Sequence, residues 1–162
     1  MNKLTITMLS SLFSITTHAA QITATLYTTE GDKKEIGQIV FNDTDYGLLI
    51  APKLSALPPG LHGFHLHQHA DCGEHGMDAG AHYDPNHSNT HLGPFGKGHL
   101  GDLPVLYVNA DGTAVTPSLA PRLKTDQLKG LAVMVHAGGD NYSDNPPLGG
   151  GGARIACGII TN

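Results

Sequence analysis

Apolar and polar residues alternate one for one through much of this chain, and the three- and four-residue apolar spacing of a helix is nearly absent. The alternating stretches are 22–26, 35–41, 46–50, 61–67, 105–108, 114–116, 131–135 and 154–160. Glu30-Gly31-Asp32, Pro58-Pro59-Gly60, Asp111-Gly112 and Lys129-Gly130 supply turns between them. A strand with one apolar face must bury it against a second sheet or against its own sheet curled over. The pattern therefore predicts an all-β domain, an eight-stranded sandwich or barrel. At 162 residues the chain is long enough for one such core.

Two irregular stretches interrupt the strands, 68–103 and 137–153. Loops of that length in a compact domain are usually functional. The first holds most of the histidines: nine of the chain's eleven fall between His62 and His99, and one more stands at His136. Alternation places His65 and His67 on one face of a strand, with Phe64, Leu66 and His62 on the other. His62 is thus expected in the core, its ring satisfied by backbone hydrogen bonds. His65 and His67 form half of a transition-metal site, and His136, at the end of an apolar strand, is the natural third ligand. His82, His91, His99 and Asp102 offer three imidazoles and a carboxylate, the set of a closed tetrahedral zinc site. One metal site needs three or four ligands, so this stretch holds enough for two.

Residues 1–20 read as a secretory leader, with Lys3, an apolar run over 4–15 and small residues before the cut, which leaves 21–162 as the domain. The apolar run is too short to span a membrane. Removing the leader takes the formal charge from −5 to −6, which argues against nucleic acid or an anionic membrane surface as partner. In an exported chain, Cys72 and Cys157 predict one disulfide, which would pin the histidine-bearing loop to the last strand. Closing so long a loop is worth roughly 4–5 kcal/mol.

Gly63-Phe64-His65-x-His67, Gly80-x-His82-x-x-Pro85, Gly98-His99-Leu100-Gly101-Asp102-Leu103, His136-x-x-x-Asp140 and Gly152-x-Arg154-x-x-Cys157-Gly158 follow one another along the chain. In that order they resemble the copper–zinc superoxide dismutases, over essentially the whole mature chain. Gly101-Asp102-Leu103-Pro104, Gly138-Gly139-Asp140-Asn141 and the glycine run 149–152 resemble the bacterial exported branch. The resemblance implies a Greek-key β-barrel of immunoglobulin-like sandwich architecture, one copper and one zinc per subunit, and superoxide as substrate. It implies copper on His65, His67, His82 and His136, and zinc on His82, His91, His99 and Asp102, with His82 as a bridging imidazolate. Arg154 would guide the anion beside copper, and Asp140 would link His65 to His91. The Cys72–Cys157 disulfide and a periplasmic location in a Gram-negative bacterium are implied as well. A homodimer and a copper-delivery partner are left open by the resemblance.

His69, His75 and His87 exceed the family pattern and are expected to be solvated loop residues, with His87 the one plausible substitute at the zinc position. A copper-storage module without turnover would have no use for Arg154, Asp140 or a shared His82. All three are present, which favours the enzyme.

Overall fold

Nine strands, all paired antiparallel, make up the β framework in the computed structural model, which describes residues 22–161. The leader expected at 1–20 lies outside the described residues. The strands are β1 (Ile22–Thr28), β2 (Glu35–Thr44), β3 (Gly47–Leu54), β4 (Gly60–His62), β5 (Phe64–His67), β6 (Leu106–Val108), β7 (Ser118–Ala120), β8 (Ala132–His136) and β9 (Arg154–Thr161). Seven form one sheet in the order β5-β8-β9-β1-β2-β3-β7, and β4 pairs with β6. Leu26, Ile39, Phe41, Ile50, Phe64, Leu66, Val108, Val133 and Ile160 belong to one buried cluster. The sheet therefore curls around a single core.

Two strand expectations need correction. The stretch 61–67 divides at Gly63, whose N–H donates to Gly138 O and whose carbonyl accepts from His136 N (2.7 and 2.8 Å). There the chain changes partner, from β6 to β8. The stretch 114–116 is not a strand. Ala114 makes a single bridge to Leu54, and Pro117, which has no N–H and constrains the residue before it, delays regular pairing to Ser118.

A bulge sets the phase of β2. Leu26 faces Gly37 while Tyr27 faces Glu35, so Ile36 is the extra residue and turns inward with Ile39 and Phe41. Gly37 has φ +128°, and a Cβ there would collide with the carbonyl of Lys53, so only glycine fits.

β5 and β8 are buried on both faces, which matters most for function. Phe64, Leu66, Val133 and Val135 point into the barrel core. His65, His67, Met134 and His136 point the other way, beneath the two long loops. Met134 packs there with Ala79, Ala132 and Cys157, and with the partly buried Cys72. The Cys72–Cys157 disulfide closes across a Cα–Cα distance of 5.8 Å and a sequence separation of 85 residues, tying the first loop to β9 as expected.

Cross-linking over that separation restricts the unfolded chain by about 4–5 kcal/mol. Reduction should therefore lower the melting temperature by on the order of 10 °C. Thermal unfolding with and without reductant measures this, and coincident curves would show that the bridge adds nothing to stability.

Candidate metal centre

β5 lies at an edge of the sheet, and the first long loop completes it. Leu66 N donates to Gly101 O and Leu66 O accepts from Tyr83 N, each at 2.8 Å, and Leu103 N donates to Phe64 O at 3.2 Å. These bonds produce two isolated bridges, His67 with His82 and His65 with Asp102. The loop is long in sequence, yet short segments of it pair with the strand that carries the first two histidines. Backbone pairing thus delivers His82 beside His67 and Asp102 beside His65.

Four buried rings, His65, His67, His82 and His136, converge so that one nitrogen of each lies within 4.8 Å of the others. These nitrogens are His65 Nδ1 and the Nε2 atoms of His67, His82 and His136, and none has a hydrogen-bond partner. The opposite nitrogens are all engaged. His65 Nε2 donates to Asp140 Oδ2 (2.8 Å), His67 Nδ1 to Gly80 O (2.9 Å), and His136 Nδ1 to Gly152 O (3.1 Å). An imidazole that donates from one nitrogen keeps a bare lone pair on the other. Buried polar atoms are seldom left unpaired, so four lone pairs aimed at one small volume fit a metal ion.

The second group, His82, His91, His99 and Asp102, is equally buried. Nδ1 of His82, His91 and His99 lies 3.0, 3.0 and 3.3 Å from Asp102 Oδ1. Four donors at zinc bond lengths and tetrahedral angles sit about 3.3 Å apart, so the set fits zinc. Asp102 Oδ2 accepts Leu92 N at 3.2 Å, which fixes the carboxylate plane. His82 belongs to both groups, Nε2 in the first and Nδ1 in the second.

Asp140 connects the groups by a second route. Its Oδ2 takes His65 Nε2 and its Oδ1 takes His91 Nε2, both at 2.8 Å, and Oδ1 also accepts Tyr142 N at 2.8 Å. Gly149 makes room for this arrangement. A Cβ there would run into Asp140 Oδ1 and lie 2.9 Å from His91 Nε2, and the φ of +72° again calls for glycine.

Arg154 stands directly across from His136 in the β8–β9 register. Its Nη1 donates to Gly76 O (2.5 Å) and its Nη2 to Gly80 O (2.7 Å). Gly80 O therefore receives both Arg154 and His67. His62 takes no part in either metal group. Its ring nitrogens face the carbonyls of His136 and Pro58, each at 2.7 Å, inside the core. His69, His75 and His87 are exposed or nearly so and join no ligand group among the described residues.

Three contributors were not legible in the sequence. Arg122 donates to four backbone carbonyls of the loop 93–99. Asp144 Oδ2 accepts His91 N at 3.0 Å, and Tyr142 OH accepts Val105 N at 2.9 Å. Their partners are main-chain atoms, which leave no residue pattern to read.

Residues 35–160 match the family model described as copper/zinc superoxide dismutase (SODC). The superoxide dismutase [Cu-Zn] of Legionella pneumophila is 58% identical over 161 residues, covering 99% of each chain. The Cu/Zn superoxide dismutase from Brucella abortus superposes with a TM-score of 0.82 at 44% identity, covering 88% of this chain and 100% of that one. The solution structure of the monomeric copper, zinc superoxide dismutase from Salmonella enterica gives a TM-score of 0.75 at 48% identity, with the same coverage.

Burial holds the first group's rings neutral: His65 falls to about 3, His67 to about 2 and His136 to about 4, all from an ordinary 6.5. Burial also lowers His82. His91 runs the other way. Burial pushes it down, but Asp102 and Asp140 outweigh this and hold it up at about 9. Burial works against both carboxylates too, yet the imidazoles of His82 and His91 around Asp102, and of His65 and His91 around Asp140, keep each well below the usual range.

The rings of His65, His67 and His136 refuse protons that the unfolded chain accepts below pH 6.5. Their contribution to metal-free stability is complete above that pH and drains away toward pH 4. His91 contributes in the opposite window, complete below 6.5 and lost as pH rises through about 9. Chelator-treated protein should accordingly show a denaturation midpoint that falls steadily as pH is lowered from 6.5 to 4. A flat profile there would mean that the three rings are not held neutral.

Proposed function

The chain belongs to the copper/zinc superoxide dismutase family, and from that premise we propose how its own residues divide the work. The protein converts two superoxide anions and two protons into oxygen and hydrogen peroxide, and its cofactors are copper and zinc. We assign copper to His65, His67, His82 and His136, and zinc to His82, His91, His99 and Asp102. For copper the supporting observation is the four unpaired buried nitrogens, each on a ring whose other nitrogen is engaged, and for zinc it is three imidazole nitrogens gathered within 3.3 Å of Asp102 Oδ1.

Copper, when bound, supplies the one-electron exchange between successive superoxides, while zinc has a single oxidation state and contributes charge and loop order. The remaining work falls to side chains. His82, which belongs to both groups, would help to hold both ions, and its Nε2 could carry a proton to the departing peroxide. Asp140 holds His65 and His91 in the tautomers that leave Nδ1 free on each. Arg154 is the fixed cation that attracts and hydrogen-bonds the substrate anion beside His136 and His67. The carbonyls of Gly76 and Gly80 keep its guanidinium from swinging into solvent.

The same reading places the mature protein, residues 21–162, in the periplasm. The Cys72–Cys157 disulfide suits an oxidising compartment, residues 1–20 read as a leader, and relatives in Legionella, Salmonella and Escherichia are from Gram-negative bacteria. Leu61 and Tyr107 pair across β4 and β6 with about half of each side chain exposed. A homodimer that closed on this face would cover both side chains. The burial of all four copper-side rings favours a delivery partner that presents the ion at the loop mouth.

His136→Ala should abolish dismutation while zinc stays bound, read by activity and metal analysis of the purified variant. Normal activity would sink the copper assignment. Arg154→Ala should slow the reaction about tenfold or more at low ionic strength, and much less at high salt, because screening removes the attraction either way. Equal salt dependence in variant and parent would show that Arg154 does not guide the anion.

A further inference from the structure

The segment Gly93-Pro94-Phe95-Gly96-Lys97-Gly98-His99 is held by a single side chain that no ligand pattern includes. Arg122, just after β7, donates Nε to Pro94 O (3.0 Å), Nη1 to Gly98 O (3.0 Å), and Nη2 to both Gly93 O (3.3 Å) and His99 O (2.5 Å). The guanidinium is partly buried, and among the described residues it makes no ion pair. A charge withdrawn from water in this way needs strong compensation. Here every hydrogen bond comes from the carbonyls of one loop, and the carboxylates of Asp102 and Asp84 add a favourable field.

That loop has little shape of its own. Three of the seven residues are glycine, which fixes no single backbone conformation. Arg122 takes the carbonyl of His99, while His99 N donates to Thr90 O at 2.9 Å, next to His91. The backbone is thus fixed on both sides of the His99 ring and, through Thr90, beside His91. The copper-side rings stand on β5, β8 and the Gly80–His82 segment, none of which Arg122 touches.

We propose that Arg122 is the positioning residue of the zinc half: it shapes loop 93–99 in advance, so that His99 and His91 meet Asp102 with little reordering when zinc binds. This rests on the assignment of zinc to His82, His91, His99 and Asp102. Lysine cannot replace it fully, because a compact ammonium with three N–H groups lacks the planar fork that reaches four carbonyls at once.

The test uses the full mature chain, stripped of metal, as parent, R122Q, R122K and H99N. Zinc and copper affinities are measured separately by chelator competition at pH 7. Trypsin cleavage after Lys97, an exposed residue inside the clamped loop, reports loop opening in the zinc-loaded forms. R122Q should bind zinc about 10- to 100-fold more weakly, with copper affinity within about twofold of the parent. R122K should lie between, and cleavage after Lys97 should accelerate in the same order.

Zinc affinity unchanged in R122Q, or copper affinity falling by the same factor as zinc, overturns the proposal. Should R122Q fail to fold, R122K decides: parent-like zinc binding overturns the role, and an intermediate loss upholds it. H99N separates the two layers of the argument. If H99N binds zinc as tightly as the parent, the ligand assignment itself is wrong. If H99N loses zinc while R122Q retains it, only the role of Arg122 falls.

Discussion

Leu66 donates its N–H to Gly101 and accepts from Tyr83, and the metal centre depends on this pairing more than on any other contact. An edge strand left bare exposes a row of unpaired backbone groups. Here the histidine-bearing loop covers that row, and in doing so brings His82 beside His67 and Asp102 beside His65. The same residue sends its side chain into the barrel core. One position therefore anchors the centre from both sides, through a side chain below and a backbone above.

The centre is costly in the absence of ions. Each buried polar atom without a partner costs about 1–3 kcal/mol, against a total margin of roughly 5–15 kcal/mol for a folded domain. Five such nitrogens stand together here. The disulfide, the glycine-lined Asp140 contact and the Arg122 clamp are the restraints that keep this arrangement in place. Metal binding then returns as ligand bonds what folding withholds as hydrogen bonds.

Much of this was legible in the residues, and the part that was not has a common cause. The period-two pattern located most strands, because it reports directly which side chains face a core. It misjudged 114–116, where Pro117 interrupts pairing, and it merged two strands across Gly63, where the chain changes partner without changing its alternation. The side chains expected at the site do come together: His65, His67, His82 and His136 in one group, His82, His91, His99 and Asp102 in another. Arg122, Tyr142 and Asp144 escaped notice because each acts on main-chain atoms, and a sequence does not show where a carbonyl will point.

One peptide oxygen, that of Gly80, serves both the His67 ring and the Arg154 guanidinium. On the proposed assignment, ligand orientation and substrate guidance are thereby geared together. A substitution that shifts this peptide unit to adjust one will displace the other, so the two traits have no separate route for gradual change. Selection on reaction speed in this chain must act on the pair, or on charges farther out along the surface.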